Sequence, residues 1–354
     1  MPTSRLSGCT RGLLLILPSP RETILPIVAG ICYTVGMTIT ERHILNACIA
    51  TFPQRLNMRL GDVRSLPGNQ HEMMLFELLW DEREQTYTVE LVFRRYCSPL
   101  SWHNMRDTNR AEREFEVLRW LGHNRFPTPP ALYSGLDDEG DYLIMGVVTG
   151  HSWETLSEEL RMGAVQQLIN LLVQLHGLEP GGLRQMPSIT VEEIIARYRG
   201  WAAESGDGAA RDAISEAASL VDVTSEQAAA PLNMAADVSD LLVSDTGRIT
   251  AWLDWENAMI GDPRWDIAWL VEQLRRAHQM PDLADLALER YQVASGSTFD
   301  DLSSWAALLA AMRLVRCAWA REHQNELAFP GLQNLLASYD EYRAWVDAAL
   351  SDAR

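Results

Sequence analysis

The stretch from Asn233 to Ala268, NMAADVSDLLVSDTGRITAWLDWENAMIGDPRWDIA, reads as loop, strand, turn, strand, acidic loop and helix. Leu241, Leu242 and Val243 form a short apolar run, and Ile249 to Leu253 form a second. Asp245, Thr246 and Gly247 between them supply turn chemistry, so the two runs predict a hairpin. Asp240 stands just before the first strand and Asp254 just after the second. A hairpin sets those two ends side by side, which lets both carboxylates face one cation. That donor set suits Mg²⁺, which takes one or two protein carboxylates and leaves its other positions to water and phosphate.

The same stretch resembles the aminoglycoside phosphotransferase and choline-kinase-like group of kinase folds. The group's catalytic loop runs H-G-D-x-x-x-x-N into an apolar strand, a hairpin, I-D-W-E and then G-D-P-x-x-D. Laid on it without gaps, Asp240 takes the asparagine position and Asp254 the second metal aspartate. Asn233 falls where the histidine belongs and Ala235 where the catalytic aspartate belongs. The resemblance thus implies a metal end kept and a base end lost. It also implies that Asp262 and Asp266 of GDPRWD buttress the loop.

Composition is that of a soluble globular chain: 354 residues, 47% hydrophobic and 22% charged. The net charge of −18 argues against nucleic-acid or anionic-membrane binding and is compatible with a cationic small ligand or simply a solvated acidic surface. All 30 basic residues are arginine, so no lysine can hold nucleotide phosphates. The 5 cysteines are scattered without metal-ligand spacing and read as thiols of a reducing cytoplasm. Residues 1–36 hold two apolar runs broken by Pro18, Pro20 and Pro26, both shorter than the roughly 18 to 20 residues of a membrane span. No persuasive signal-peptide cleavage site follows. This segment reads as an extension, disordered or mis-assigned, ahead of a domain that starts near Met37 with a helix capped by Thr40.

Residues 54–96 read as strands, with Val63–Leu66 followed by a Pro67-Gly68-Asn69 turn, then Met73–Trp80 and Thr86–Tyr96. In the resembled group this hairpin covers the nucleotide, so Gly68 and Asn69 stand where backbone N–H groups cradle phosphate; the same tripeptide also serves as an ordinary turn. Arg94 ends the third strand at the position of the group's phosphate-binding basic residue, and Glu114 on the helix Thr108–Leu121 takes that of its carboxylate partner. Two more strands, Ala131–Ser134 and Asp141–Val148, lead to a segment like the group's hinge, where Met145 and Val147 offer backbone groups to adenine. Gly150 matches the hinge's closing glycine. From Trp153 onward the pattern is helical, and His176 reads as a helix-end structural residue.

The expected fold is α+β and two-lobed, like the protein kinases. A small antiparallel-sheet lobe with one helix spans 37–145, and a larger, mainly helical lobe spans 146–354. The implied cofactors are Mg²⁺ and ATP or another nucleoside triphosphate. Two functions compete. One is a pseudokinase-like regulatory or binding protein with lost or reduced transfer activity, open to a protein partner. The other is an active phosphotransferase on a small-molecule hydroxyl, using Asp237 as a displaced base. A positioned base is worth roughly 10²- to 10⁴-fold, so its loss slows the reaction without removing the rest.

Overall fold

The computed structural model describes residues 39–66, 70–225 and 228–354. The expectations for residues 1–36 and for Gly68 and Asn69 lie outside these. The chain opens with helix α1 (Ile39–Thr51), followed by the long strands β1 (Leu56–Leu66), β2 (Glu72–Glu82) and β3 (Gln85–Arg95). Helix α2 (Arg110–His123) and strands β4 (Ala131–Asp137) and β5 (Gly140–Gly146) complete a five-stranded antiparallel sheet ordered β1-β2-β3-β5-β4.

Strand alternation sends successive residues to opposite faces, and both faces are used. Leu91, Phe93, Tyr142 and Ile144 bury against Ile44, Ala47 and Cys48 of α1, while Leu143 and Met145 join Val117, Leu118 and Leu121 of α2. The small lobe therefore holds α1 beside the one helix expected from the resemblance. Because Phe93 faces α1, Arg94 next to it turns toward α2 and the rest of the molecule. Thr40 lies inside α1 rather than capping it.

After β5 come the short strand β6 (His151–Ser152) and helices α3 (Glu158–His176), α4 (Val191–Glu204) and α5 (Gly208–Leu220). Their starts are legible locally: Ser157 accepts from Leu160 N, Thr190 and Glu193 form a capping box, and Asp207 accepts from Ala210 N. Strands β7 (Ala230–Leu232), β8 (Leu241–Val243), β9 (Ile249–Trp252) and β10 (Met259–Gly261) precede α6 (Arg264–Glu272), α7 (Pro281–Ser295), α8 (Leu302–Glu322), α9 (Leu332–Ala337) and α10 (Tyr339–Ala353). The α8 helix is buried along most of its length and centres the helical lobe.

The predicted hairpin is β8 and β9, paired Leu241↔Trp252 and Leu242↔Ala251. Gly247 turns it at φ 79°, a conformation glycine adopts without a side-chain penalty. Strands β6, β7 and β10 escaped the sequence reading, since two or three residues carry no periodicity and, unlike β8, none of them adjoins a turn that marks a hairpin. They matter nonetheless. Pairing of β10 with β7 (Met259↔Leu232) delivers the chain to Asn233, and β6 lies on β8. A Cβ at Gly150 would sit 2.9 Å from Val243 N and 2.7 Å from Thr250 Oγ1, so only glycine lets the segment after β5 lie on the hairpin. No helix among the described residues is long and apolar enough to cross a membrane.

Candidate functional site

A cavity of ≈ 370 Å³ lies where the sheet, α2 and the β8–β9 hairpin meet. Its apolar wall comes from Met73, Leu118, Pro129, Met145 and Leu253, and its charged wall from Arg94, Glu114, Asp240, Asp254 and Glu256. Of the two hinge residues, Met145 lines this cavity and Val147, just beyond β5, does not.

The charged wall is one connected network. Arg94 Nη1 donates to both oxygens of Glu114 at 3.1 Å, which is the strand-to-helix pair expected from sequence. Its Nη2 donates to Asp254 Oδ1 at 3.0 Å and to Glu256 Oε2 at 2.7 Å. Glu256, from the D-W-E segment, also meets His71 Nε2 at 2.6 Å and accepts from Arg110 Nη2. Its carbonyl accepts from Arg113 Nε and Nη2 at 2.9 and 2.7 Å. Arg113 is fixed in turn by Asp107 at 2.6 Å. The hydroxyl of Tyr96 donates to Glu114.

The side chains of Glu114 and Glu256 are only 2% and 3% exposed, so their charges depend on partners rather than water. Burial opposes ionisation of Glu256, but Arg110, His71 and Arg94 together outweigh it and hold the carboxyl well below its usual range. For Glu114 burial wins. Arg94 pulls its pKa down, the Glu256 and Asp254 charges push it up, and the net shift is upward. The Arg94 cation is disfavoured by burial yet stabilised by its three carboxylates, which raise its pKa further.

Asp240 and Asp254, the two carboxylates expected at the mouth of the hairpin, both line the cavity. Leu253 N donates to Asp240 O at 2.9 Å, which pins the two strand ends together. Asp240 has no hydrogen bond or ion pair from its side chain among the described residues. Burial, and then the facing charges of Asp254 and Asp237, push its carboxyl well above the usual range. Two hard oxygen donors repelling each other at the mouth of a cavity fit a divalent cation, which would relieve that repulsion. Asp254 has φ 61°, the left-handed region, as it leaves β9.

The loop at the other end is held by its backbone. Asp266, at the base of α6, accepts from Asn233 N at 2.9 Å and from Met234 N at 2.7 Å. Asn233 donates to Asp254 O at 3.1 Å and accepts from Ala235 N at 3.1 Å, tying the loop to the segment that carries Asp254. Met234 has φ 69° where the resembled pattern has glycine, so the chain keeps that turn and the register that follows it. Ala235 is buried and presents only a methyl group. The buttress role expected for Asp266 is thus visible in its bonds. Asp262 instead clasps Arg264 at 2.7 Å. His176 lies between Tyr291 OH at 2.7 Å and Asp266 Oδ2 at 3.2 Å, a structural position.

Asp237 does not line the cavity. Its Oδ1 accepts from Ser239 N at 2.9 Å, capping the short turn into Asp240, and lies 3.0 Å from His278 Nε2. A π-helical turn, Gln273–Ala277, ends α6 and brings His278 there. Burial raises the Asp237 carboxyl, but the bonds from His278 and Ser239 prevail and hold it below the usual range. Sequence reading missed Glu256, Arg110 and His71. The only local sign was the acidic D-W-E itself, since Arg110 and His71 meet Glu256 from far back in the chain, Arg110 146 positions away.

The sequence profile described as the phosphotransferase enzyme family matches residues 78–308. Comparison with curated protein sequences finds no match. Among solved structures, a protein of Ralstonia eutropha JMP134 assigned to the aminoglycoside phosphotransferases superposes with a TM-score of 0.64 at 15% identity, covering 87% of this chain and 98% of that one. Aminoglycoside phosphotransferase APH(4)-Ia superposes with a TM-score of 0.61 at 16% identity, over 89% of this chain and 99% of that one. A thermostable mutant of that enzyme, in ternary complex with ADP and hygromycin B, gives 0.57 at 15% identity, over 87% and 98%. At such identities the likeness establishes the two-lobed kinase-like fold.

Proposed function

The chain belongs to the phosphotransferase enzyme family, and from that membership we propose that it binds a Mg²⁺-nucleoside triphosphate in the cleft with its transfer step lost or strongly slowed. The observation that carries this reading is Ala235. The loop around it keeps its backbone bonds to Asp266, so the position is occupied by a methyl group rather than displaced.

Asp240 and Asp254 would hold the metal, and Met145 and Leu253 offer apolar surface to a base. A Mg²⁺ ion held there would supply neutralisation of the charge on the nucleotide's phosphates. The residues of this chain do the positioning. Glu114 and Glu256 hold Arg94 at the phosphate end, and Arg113 fixes the carbonyl of Glu256 and so the segment that carries Asp254. Opposite them no side chain of the loop takes the proton of an acceptor hydroxyl. The protein then acts as a nucleotide-dependent binding or regulatory protein, open to a protein partner or to a hydroxylated small molecule. The three described cysteines, Cys48, Cys97 and Cys317, are free thiols, which suits a cytoplasmic setting.

The alternative, an active enzyme using Asp237, is weakened by the bonds that already engage that carboxylate. Calorimetry with Mg²⁺ and AMP-PNP tests the nucleotide reading: no binding with Mg²⁺ present ends it. Mg²⁺-ATP turnover with hydroxylated acceptors tests the rest. Wild-type turnover in the ordinary kinase range, near 1–100 s⁻¹, would refute the loss of the base.

A further inference from the structure

A second cavity, of ≈ 240 Å³, lies among α6, α7, α8 and α10 and shares no lining residue with the cleft. Its apolar lining includes Val271, Leu288, Phe299, Leu302 and Ala349. An apolar cavity of about 150 Å³ takes a benzene ring, so this one has room for a ring or branched chain with a short polar arm. Part of its wall, Arg275 and Arg276, belongs to the π-helical turn that ends at His278, the partner of Asp237. Irregular turns of this kind recur at functional sites.

The charges along this cavity do not balance. Arg276 Nε donates to Glu272 Oε2 at 2.6 Å and its Nη2 to Asp352 Oδ2 at 3.1 Å. Arg275 Nη2 donates to Asp285 Oδ1 at 2.6 Å. Both guanidiniums thus already have carboxylate partners, and acidic groups are left over. Asp300, exposed at the edge of the cavity, has no side-chain hydrogen bond or ion pair among the described residues. Glu272 is only 5% exposed. Trp345 Nε1 joins Arg276 on its Oε2, at 3.2 Å. Its Oε1 accepts no hydrogen bond among the described residues and meets only Arg275 Nη1, at 3.8 Å. A carboxylate oxygen held out of bulk water without a donor is costly, and a donor carried by a ligand would satisfy it.

We propose that this cavity binds a small organic cation, an ammonium group on an apolar body, with the ammonium on Glu272 and Asp300 and the body against Phe299 and Leu302. The site stands apart from the nucleotide reading of the cleft and does not depend on it. An anion is disfavoured, because both arginines are already paired and the surplus charge is negative. Salt screens exposed charges beyond about 8 to 10 Å but weakens a contact with a buried carboxylate far less.

The test is calorimetry on the full chain without nucleotide, at pH 7, with phenethylamine, phenethyl alcohol, phenylacetate and ethylamine as probes. Phenethylamine should bind at least about tenfold more tightly than the alcohol, since a hydrogen bond to a charged group exceeds a neutral one. Phenylacetate should be the weakest of the three aromatic probes. Ethylamine, which lacks the apolar body, should lose about tenfold or more against phenethylamine. Glu272→Gln should remove most of the preference for the amine and Asp300→Asn about threefold of it, while Asp254→Asn, in the cleft, should leave it unchanged. No binding of the amine by wild type up to about 10 mM, equal binding of amine and alcohol, or tighter binding of phenylacetate each overturns the proposal. So does a preference that survives both Glu272→Gln and Asp300→Asn, or one lost in Asp254→Asn, which would place the amine in the cleft. If Glu272→Gln does not fold, Asp300→Asn decides, because that exposed side chain bonds no neighbour among the described residues. Failure of the cleft to bind Mg²⁺-AMP-PNP would count against the nucleotide reading alone, because the amine preference is measured without nucleotide.

Discussion

The two ends of the cleft are built on different principles. At the phosphate end, side chains hold side chains: Arg94, Arg110 and His71 converge on Glu256, and Glu114 shares Arg94. Removing one member strands a buried charge. At the base end, the carboxylate of Asp266 holds backbone N–H groups of Asn233 and Met234, and the side chain at 235 takes no part. The loop therefore keeps its path whatever residue 235 is. A change of side chain at 235 is structurally cheap here, and loss of an ionic partner is not.

Four experiments can break or sharpen this contrast. If only the base is missing, Ala235→Asp should raise Mg²⁺-ATP turnover by roughly 10²- to 10⁴-fold. An unchanged rate would mean that more than the base has gone. Glu256→Gln should cost about 3–5 kcal/mol in urea denaturation, because it leaves Arg94 and Arg110 short of their anion. A cost below about 1 kcal/mol would show that the network does not hold the cleft.

The ionic end should also respond to acid. Burial raises the Asp107 carboxyl, but the bonds from His103 and Arg113 prevail and hold it below the usual range. Its contribution is therefore fully present above the unfolded value of about 3.9 and drains away as pH falls through the lower folded value. Asp107→Asn should lose about 1–3 kcal/mol at pH 7 and flatten the fall in stability below about pH 4. An equally steep fall in the variant would place the acid sensitivity elsewhere. The smallest effect belongs to Asp237→Asn. Asparagine caps a helical turn about as well as aspartate, so stability and residual turnover should stay near wild type. A collapse of turnover would identify Asp237 as the working base after all.

Much of the fold was legible because its signals are local. The alternation of Leu91, Val92, Phe93 and Arg94 places Arg94 on the cleft face, and the spacing from Asp240 through the turn to Asp254 places both carboxylates at one hairpin mouth. The Arg94–Glu114 pair could be read from the order of a strand and the following helix. Strands β7 and β10 could not, since unlike β8 and β9 they are short and no single turn joins them to announce the pairing, and they are what carry the chain into the loop at Asn233.

By itself the sequence determined the family resemblance, the carboxylate pair Asp240 and Asp254 at the hairpin mouth, and the alanine at 235. All of these are positions along the chain. Tertiary structure alone decided what each charged group touches: Glu256 beneath Arg94, Arg110 and His71, Asp266 under the loop, His278 on Asp237, and Arg313 among aromatic rings. The reason is physical. A charge taken out of water must be met by whichever partner packing brings within about 3 Å, and that partner can lie anywhere in the chain.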